Sequence, residues 1–215
     1  MKVAILGYPR TGTNKLQRTL GLIYKIPVDN DRTEWLTGLS GNKKEEAIEE
    51  LNRVDSIIAK LFVYQFNDIN VLTIDWNKFD FIFATSRDSL VDSFVSCAIA
   101  QQQNYWVRLI EDIIDMNKTF IVDLTKIEEW YYSHVINFNT LVDQISVVKP
   151  VFKFTYNEIC DNEILLRKLS IITGKVLNNY CLPRKMIPMG INYKEKCLNY
   201  AEVEEKFKEL GYGSN

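Results

Sequence analysis

An unbroken apolar run from Val3 to Leu6, a short turn bounded by Gly7 and Gly12, and an amphipathic stretch from Thr13 to Tyr24 constrain this chain more than any other feature. A run that is apolar at every position, rather than at every second one, predicts a parallel strand covered on both faces. Leu16, Leu20 and Ile23 recur at helical spacing and give the following segment one buried stripe. Thr11 or Thr13 is placed to cap that helix. Strand, glycine-bounded turn and helix together aim backbone N–H groups and a positive helix end at one point, a setting that suits an anion.

The rest of the chain repeats the alternation. Strands are expected over Ile57 to Phe66, Ile69 to Ile74, Phe79 to Thr85 and Val151 to Thr155, the third rich in aromatics and Ile. Helices are expected over Lys43 to Val54, Asp88 to Gln101, 104–116, 125–147, Asn162 to Thr173 and Ala201 to Leu210, the last two ended by Gly174 and Gly211. Residues 26–42, with Pro27, Asp29, Asp31, Gly38 and Gly41, read as a functional loop. Strands alternating with helices imply an α/β fold around a mainly parallel sheet. A length of 215 residues suits one domain spanning 1–215.

Composition excludes several classes. Apolar residues at 47%, charged residues at 25% and a net charge of −2 give no reason to expect nucleic acid. No apolar run approaches a membrane span, and the N-terminal run, interrupted by Pro9-Arg10, is too short for a signal peptide. Cys97, Cys160, Cys181 and Cys197 lack metal-ligand spacing and have His134 as the lone histidine nearby in composition, so no metal is expected and reduced thiols in the cytoplasm are.

The turn itself, Gly7-Tyr8-Pro9-Arg10-Thr11-Gly12-Thr13-Asn14-Lys15, is not a Walker A loop, because Thr13-Asn14 stands where that motif needs Lys and then Ser or Thr. Arg10 supplies a charge able to hold two oxygens, and Thr11 and Thr13 add hydroxyl donors. Tyr8-Pro9-Arg10-Thr11-Gly12-Thr13 resembles the 5′-phosphosulfate loop of the sulfotransferase superfamily, whose donor is 3′-phosphoadenosine 5′-phosphosulfate (PAPS). A second segment, Ser86-Arg87-Asp88 followed by Ser93 and Ser96, resembles the family's 3′-phosphate site, with Arg87 and either Ser93 or Ser96 in the binding roles. The family's Asn-Pro after this Arg is replaced by Asp88-Ser89. Phe152 to Ile159, Pro183-Arg184-Lys185 and Asn199 to Val203 are weaker echoes of later family segments.

The resemblance implies a P-loop-type parallel sheet flanked by helices, the sulfotransferase fold. It also implies transfer of a sulfuryl group from PAPS to an acceptor hydroxyl, with a carbohydrate or glycolipid as the acceptor class. By it, Arg10 is the catalytic cation, Pro9, Thr11, Gly12, Thr13 and Asn14 wrap the 5′-phosphate, and Arg184 or Lys185 closes over the 3′-phosphate. The family's Lys-x-His base segment is Lys60-Leu61-Phe62 here, so Lys60 approaches the sulfate and Glu34 becomes the candidate base, with Asp29 and Asp31 in reserve. His134 reads as a packed helix residue. Two other classes remain: a small-molecule kinase on a P-loop scaffold, and a non-catalytic nucleotide-binding protein that kept the fold.

Overall fold

The computed structural model describes residues 1–28, 42–66, 70–103, 119–177 and 192–212. Its centre is a four-stranded, all-parallel sheet in the order β2-β1-β3-β4, formed by β1 (Lys2–Gly7), β2 (Ile57–Phe62), β3 (Phe81–Ser86) and β4 (Val151–Thr155). β1 is central and hydrogen-bonds to β2 on one edge and β3 on the other. Val3, Ala4, Ile5 and Leu6 are each 0% exposed, which is why this strand is apolar without alternation.

Alternate residues of that strand serve two cores, as the pleat requires. Val3 and Ile5 pack with Leu16 and Leu20 of α1 (Thr13–Tyr24), with Ile159 of α6 (Tyr156–Cys160) and with Leu165 and Leu169 of α7 (Asn162–Thr173). Ala4 and Leu6 face the other way. There they meet α2 (Asn42–Arg53), α3 (Leu90–Gln102), α5 (Asn137–Val148) and α9 (Tyr200–Glu209) through Leu51, Phe94, Leu141 and Phe207. The result is a three-layer α/β arrangement, as the alternation of elements implies. No helix among the described residues is long and apolar enough to cross a membrane.

Two expected strands are corrected. The segment ending at Ile74 is not a strand where it is described: Val71–Thr73 is a 3₁₀ turn capped by Asn70, whose side chain accepts the Leu72 N–H at 3.0 Å. Trp76 Nε1 donates to the Val71 carbonyl at 2.9 Å and fixes the turn from inside the core. The strand expected to reach Phe66 stops at Phe62, where the Gln65 side chain accepts the Phe62 N–H at 2.9 Å and Val63–Phe66 coils into 3₁₀. A side-chain acceptor close in sequence competes with the ladder in both places.

The helix expected over 125–147 forms in pieces. Asp123 caps a 3₁₀ turn, Leu124–Lys126, by accepting the Thr125 N–H at 2.9 Å. α4 (Ile127–Trp130) follows, then a π-helical stretch, Tyr131–Ile136, then α5. The segment 104–116 and most of the loop 26–42 lie outside the described residues. α8 (Tyr193–Lys196) is a short helix that the sequence pattern did not single out.

Gly7 is fixed by space rather than by backbone angle. A Cβ there would sit 2.7 Å from both Thr13 Cγ2 and Thr85 Oγ1. We expect Gly7→Ala to destabilise the fold by about 1–3 kcal/mol through overpacking, measurable as a lower urea midpoint with an unchanged slope.

Candidate functional site

The strand order decides where a ligand can enter. The chain leaves β1 for β2 on one side and then returns to β3 on the other, so the connections diverge between β1 and β3. In open parallel sheets that divergence leaves a crevice at the carboxyl ends of the strands. Gly7 ends β1 and Ser86 ends β3, so the turn 8–12 and the segment from Arg87 onward flank the same crevice.

The turn is built under tension. Arg10 has φ +72°, a left-handed conformation that costs an L residue about 1–3 kcal/mol. Gly12, the residue before α1, has φ +87° and makes no side-chain cap, so neither Thr11 nor Thr13 caps the helix as the sequence reading expects. Thr11 serves another end. Its hydroxyl donates to the Tyr8 carbonyl at 2.8 Å and meets Thr85 Oγ1 at 2.8 Å, with both threonines 0% exposed. These two hydroxyls staple the turn to β3, so Thr11 has no side-chain donor left for an anion and can offer its backbone only. Pro9 restricts φ at the turn's entry, and the Thr13 methyl fills the space beside Gly7.

The second segment reaches the same turn. Arg87 NH1 donates to the Arg10 carbonyl at 3.3 Å, and its backbone N–H donates to the Tyr8 hydroxyl at 3.1 Å. The guanidinium lies over the Tyr156 ring at 4.4 Å and the Tyr193 ring at 5.3 Å. Arg87 makes no ion pair with a carboxylate among the described residues. Arg10 Nε in turn donates to Ser96 Oγ at 3.0 Å, and the Tyr193 hydroxyl donates to the same oxygen at 2.9 Å. Two incoming bonds occupy the Ser96 lone pairs and leave its own proton to be donated.

Ser93 and Ser96 are 0% and 1% exposed, so neither belongs to a solvated helix face. Ser93 Oγ is buried and makes no hydrogen bond of ordinary geometry among the described residues, although it lies near enough to the Tyr8 hydroxyl to influence it. Ser96 is therefore tied to Arg10, and Ser93 is the unmatched hydroxyl beside it. Both alternatives from the sequence are part of one constellation.

Lys60, 4% exposed on β2, donates to Asn14 Oδ1 at 2.6 Å and lies 5.3 Å from the Phe62 ring centre. That bond brings Lys60 to the start of α1, beside the turn. Lys15 points elsewhere: its Nζ donates to the Cys160 carbonyl at 2.8 Å, at the end of α6. Glu34, Asp29, Asp31, Arg184 and Lys185 lie outside the described residues.

Burial sets the protonation states nearby. It raises the Tyr8 phenol above its usual range, with Arg87 opposing, and raises Tyr156 likewise, so both stay neutral and donate or stack without charge. It pushes the Cys97 thiol up to about 11, which makes this cysteine a poor nucleophile.

Tyr156 and Tyr193 were not legible as site residues. They come from the helix after β4 and from α8, and nothing in their local sequence points to a guanidinium 69 or 106 positions away from it in the chain order Arg87, Tyr156, Tyr193. Tyr156 lies in a segment that echoes the family pattern, which is the one signal that could have found it. Comparison with protein-family models, with curated proteins and with solved structures gave no match.

His134 is a packed residue. Its ring stacks on Trp130 with centres 5.6 Å apart, Nδ1 lies 3.0 Å from the Trp130 carbonyl, and burial holds its pKa below the usual value. A histidine kept neutral in the fold but free to protonate when unfolded weakens stability as pH falls below about 6.5, until the folded-state value is passed. We expect the loss of thermal stability between pH 7 and 5 to be smaller in His134→Phe than in the wild type, measured as paired melting curves across that range.

Proposed function

We propose that this chain is a PAPS-dependent sulfotransferase with the P-loop-type fold of that superfamily, acting on a carbohydrate or glycolipid hydroxyl. One observation carries the reading: Arg10 and Arg87 converge on a single crevice, joined to each other and to Ser96, while Arg87 lacks a carboxylate partner among the described residues. Two arginines at one crevice suit a ligand with two separated anionic groups. PAPS has such groups at its 5′ and 3′ positions.

The residues fit that donor. The uncapped start of α1, with the backbone of Thr11, Gly12, Thr13 and Asn14, would hold the 5′-phosphate. Arg87 and the unmatched Ser93 hydroxyl would hold the 3′-phosphate, with the Ser96 proton as a further donor. Tyr156 and Tyr193 fix the guanidinium plane beforehand, so little side-chain entropy is lost on binding.

In the transfer, the acceptor oxygen forms a bond to sulfur as the bond from sulfur to the 5′-phosphate oxygen breaks, and the acceptor's proton passes to a base. Arg10 would neutralise the charge that develops on the departing phosphate oxygen. Its strained backbone and its bond to Ser96 hold the guanidinium in position without reorganisation. Lys60, brought to the turn by Asn14, would add positive charge from the β2 side. Glu34 is the proposed base. A Walker-type kinase needs a lysine on the phosphates, and Lys15, the nearest lysine after Gly12, is bonded to the Cys160 carbonyl instead.

Calorimetry with 3′-phosphoadenosine 5′-phosphate, ADP and ATP tests the donor site. The expected result is metal-independent binding that requires the 3′-phosphate; preference for ATP with Mg²⁺ would favour the kinase, and no binding a protein that kept only the fold. Arg87→Ala should weaken 3′-phosphoadenosine 5′-phosphate by about 1.5–3 kcal/mol and ADP much less. Equal losses for the two ligands would remove Arg87 from the 3′-phosphate site. Arg10→Ala should lower turnover by roughly 10²–10³ in a sulfate-transfer assay while weakening donor binding less. Unchanged turnover would exclude the role of Arg10.

A further inference from the structure

Beside the crevice lies a cavity of about 410 Å³ between α3 and the helical stretch that contains α4 and its π-helical continuation. Residues three and four apart face it from both sides: Phe94, Cys97, Ala98 and Gln101 from one helix, and Lys126, Trp130 and His134 from the other. Stripes with this spacing ordinarily interdigitate. Here they stand apart and enclose space within the usual range of small-molecule sites, about 300–1,000 Å³.

The cavity is next to the phosphate-binding turn. Cys97 on its wall directly follows Ser96, which accepts the Arg10 bond. Trp130 on the opposite wall meets the Tyr8 ring edge-on at 6.2 Å. His134 contacts Tyr64, with ring centres 6.5 Å apart, and Tyr64 stacks on Phe62, the ring beside Lys60. Trp130 thus joins the cavity wall to the Tyr8 ring, and Cys97 borders the cavity one residue along α3 from Ser96. A π-helical turn on its wall is a feature often found at functional sites.

Its chemistry is divided by depth. The floor is buried and apolar, made by Phe94, Cys97 and Trp130. The Trp130 indole N–H is buried; it makes no hydrogen bond of ordinary geometry among the described residues and lies toward the Cys97 thiol across the floor. The rim is exposed and polar, with Gln101, Gln102, Asp123 and Glu129. Among the described lining residues Lys126 is the one lysine or arginine, and it lies 3.3 Å from Glu129, so the second carboxylate leaves these groups net negative.

We propose that this cavity seats the sulfuryl acceptor and selects a neutral glycoside over an anionic one. A sugar ring has apolar C–H faces for the aromatic floor and hydroxyls for the amide and carboxylate rim. A uronic acid or a sulfated sugar would carry its own negative charge to Asp123 and Glu129. The cavity's role as an acceptor site rests on the sulfotransferase reading; its preference for a neutral glycoside rests on the lining alone.

The test is calorimetric titration of the full chain with phenyl β-glucoside and phenyl β-glucuronide, each with and without 3′-phosphoadenosine 5′-phosphate. The glucoside should bind in both conditions and the glucuronide roughly tenfold more weakly, the effect of one unbalanced charge at close range. Ala98→Phe, which fills the space, should weaken the glucoside at least about tenfold and leave the nucleotide unaffected. The double variant Asp123→Asn, Glu129→Gln changes exposed groups only, so it tests the charge argument without depending on core packing. It leaves Lys126 unopposed at the rim, so the glucuronide should then bind at least as tightly as the glucoside. A wild type that binds the nucleotide but not the glucoside overturns the cavity as acceptor site, as does a folded Ala98→Phe that binds the glucoside normally. An unchanged preference in the double variant overturns the charge selection. Glucoside binding with no binding of the nucleotide would instead sink the sulfotransferase reading and leave the cavity as a glycoside site.

Discussion

The hydrogen bond between the hydroxyls of Thr11 and Thr85 is the contact on which the site depends. It ties the turn after β1 to the neighbouring strand, and both groups are fully buried, so the bond is not exchanged for water. A buried hydroxyl left without its partner costs about 1–3 kcal/mol, which makes the pair far stiffer than its modest net strength implies. The left-handed Arg10 lies inside the short loop that Thr11 closes by donating to the Tyr8 carbonyl. Its carbonyl and its guanidinium then organise Arg87 and Ser96 in turn. The constellation is a chain of consequences from one side-chain bond at the carboxyl end of the sheet.

That arrangement explains why polar groups are buried here and apolar ones elsewhere. Thr11, Thr13, Thr85, Ser93 and Ser96 are all buried at one end of the β1–β3 pair, while the strands below them are covered by aliphatic and aromatic residues. Burying hydroxyls is unfavourable unless they are paired. Thr11, Thr85 and Ser96 are paired with one another, with backbone or with Arg10 and Tyr193, and Ser93 lies one helical turn before Ser96, near the Tyr8 hydroxyl. A protein that stored such groups for stability alone would have gained more from Val and Ala. The mixed cavity next door has the same logic on a larger scale, with an aromatic floor from α3 and α4 and a polar rim.

Much of this was legible. The unalternating strand, the glycine-bounded turn and the amphipathic helix follow from residue pattern because they obey local rules, and β1 and α1 form within a residue of where the pattern puts them. Arg10, Arg87, Ser93 and Ser96 could be named through the resemblance of their two segments to one family's loops, and the fold brings Arg10, Arg87 and Ser96 together. Less accessible was what each group does. Thr11 reads as a donor to a ligand and is instead a staple, because Thr85 lies opposite it only once β1 and β3 pair. The segment near Ile74 reads as a strand because it is apolar, yet Asn70 and Trp76 fold it into a turn.

The sequence by itself determined that a parallel α/β sheet would form and that an anion-suited turn would follow its first strand, since apolar periodicity and glycine placement act over a few residues. Only the tertiary structure decided that Tyr156 and Tyr193 would clamp Arg87, that Lys60 would reach Asn14, and that two helical stripes would stand apart to leave a cavity. Those contacts join residues far apart in the chain. Their partners are chosen by the order in which strands pair and by how helices pack across the sheet, and neither choice is written in any local stretch of residues.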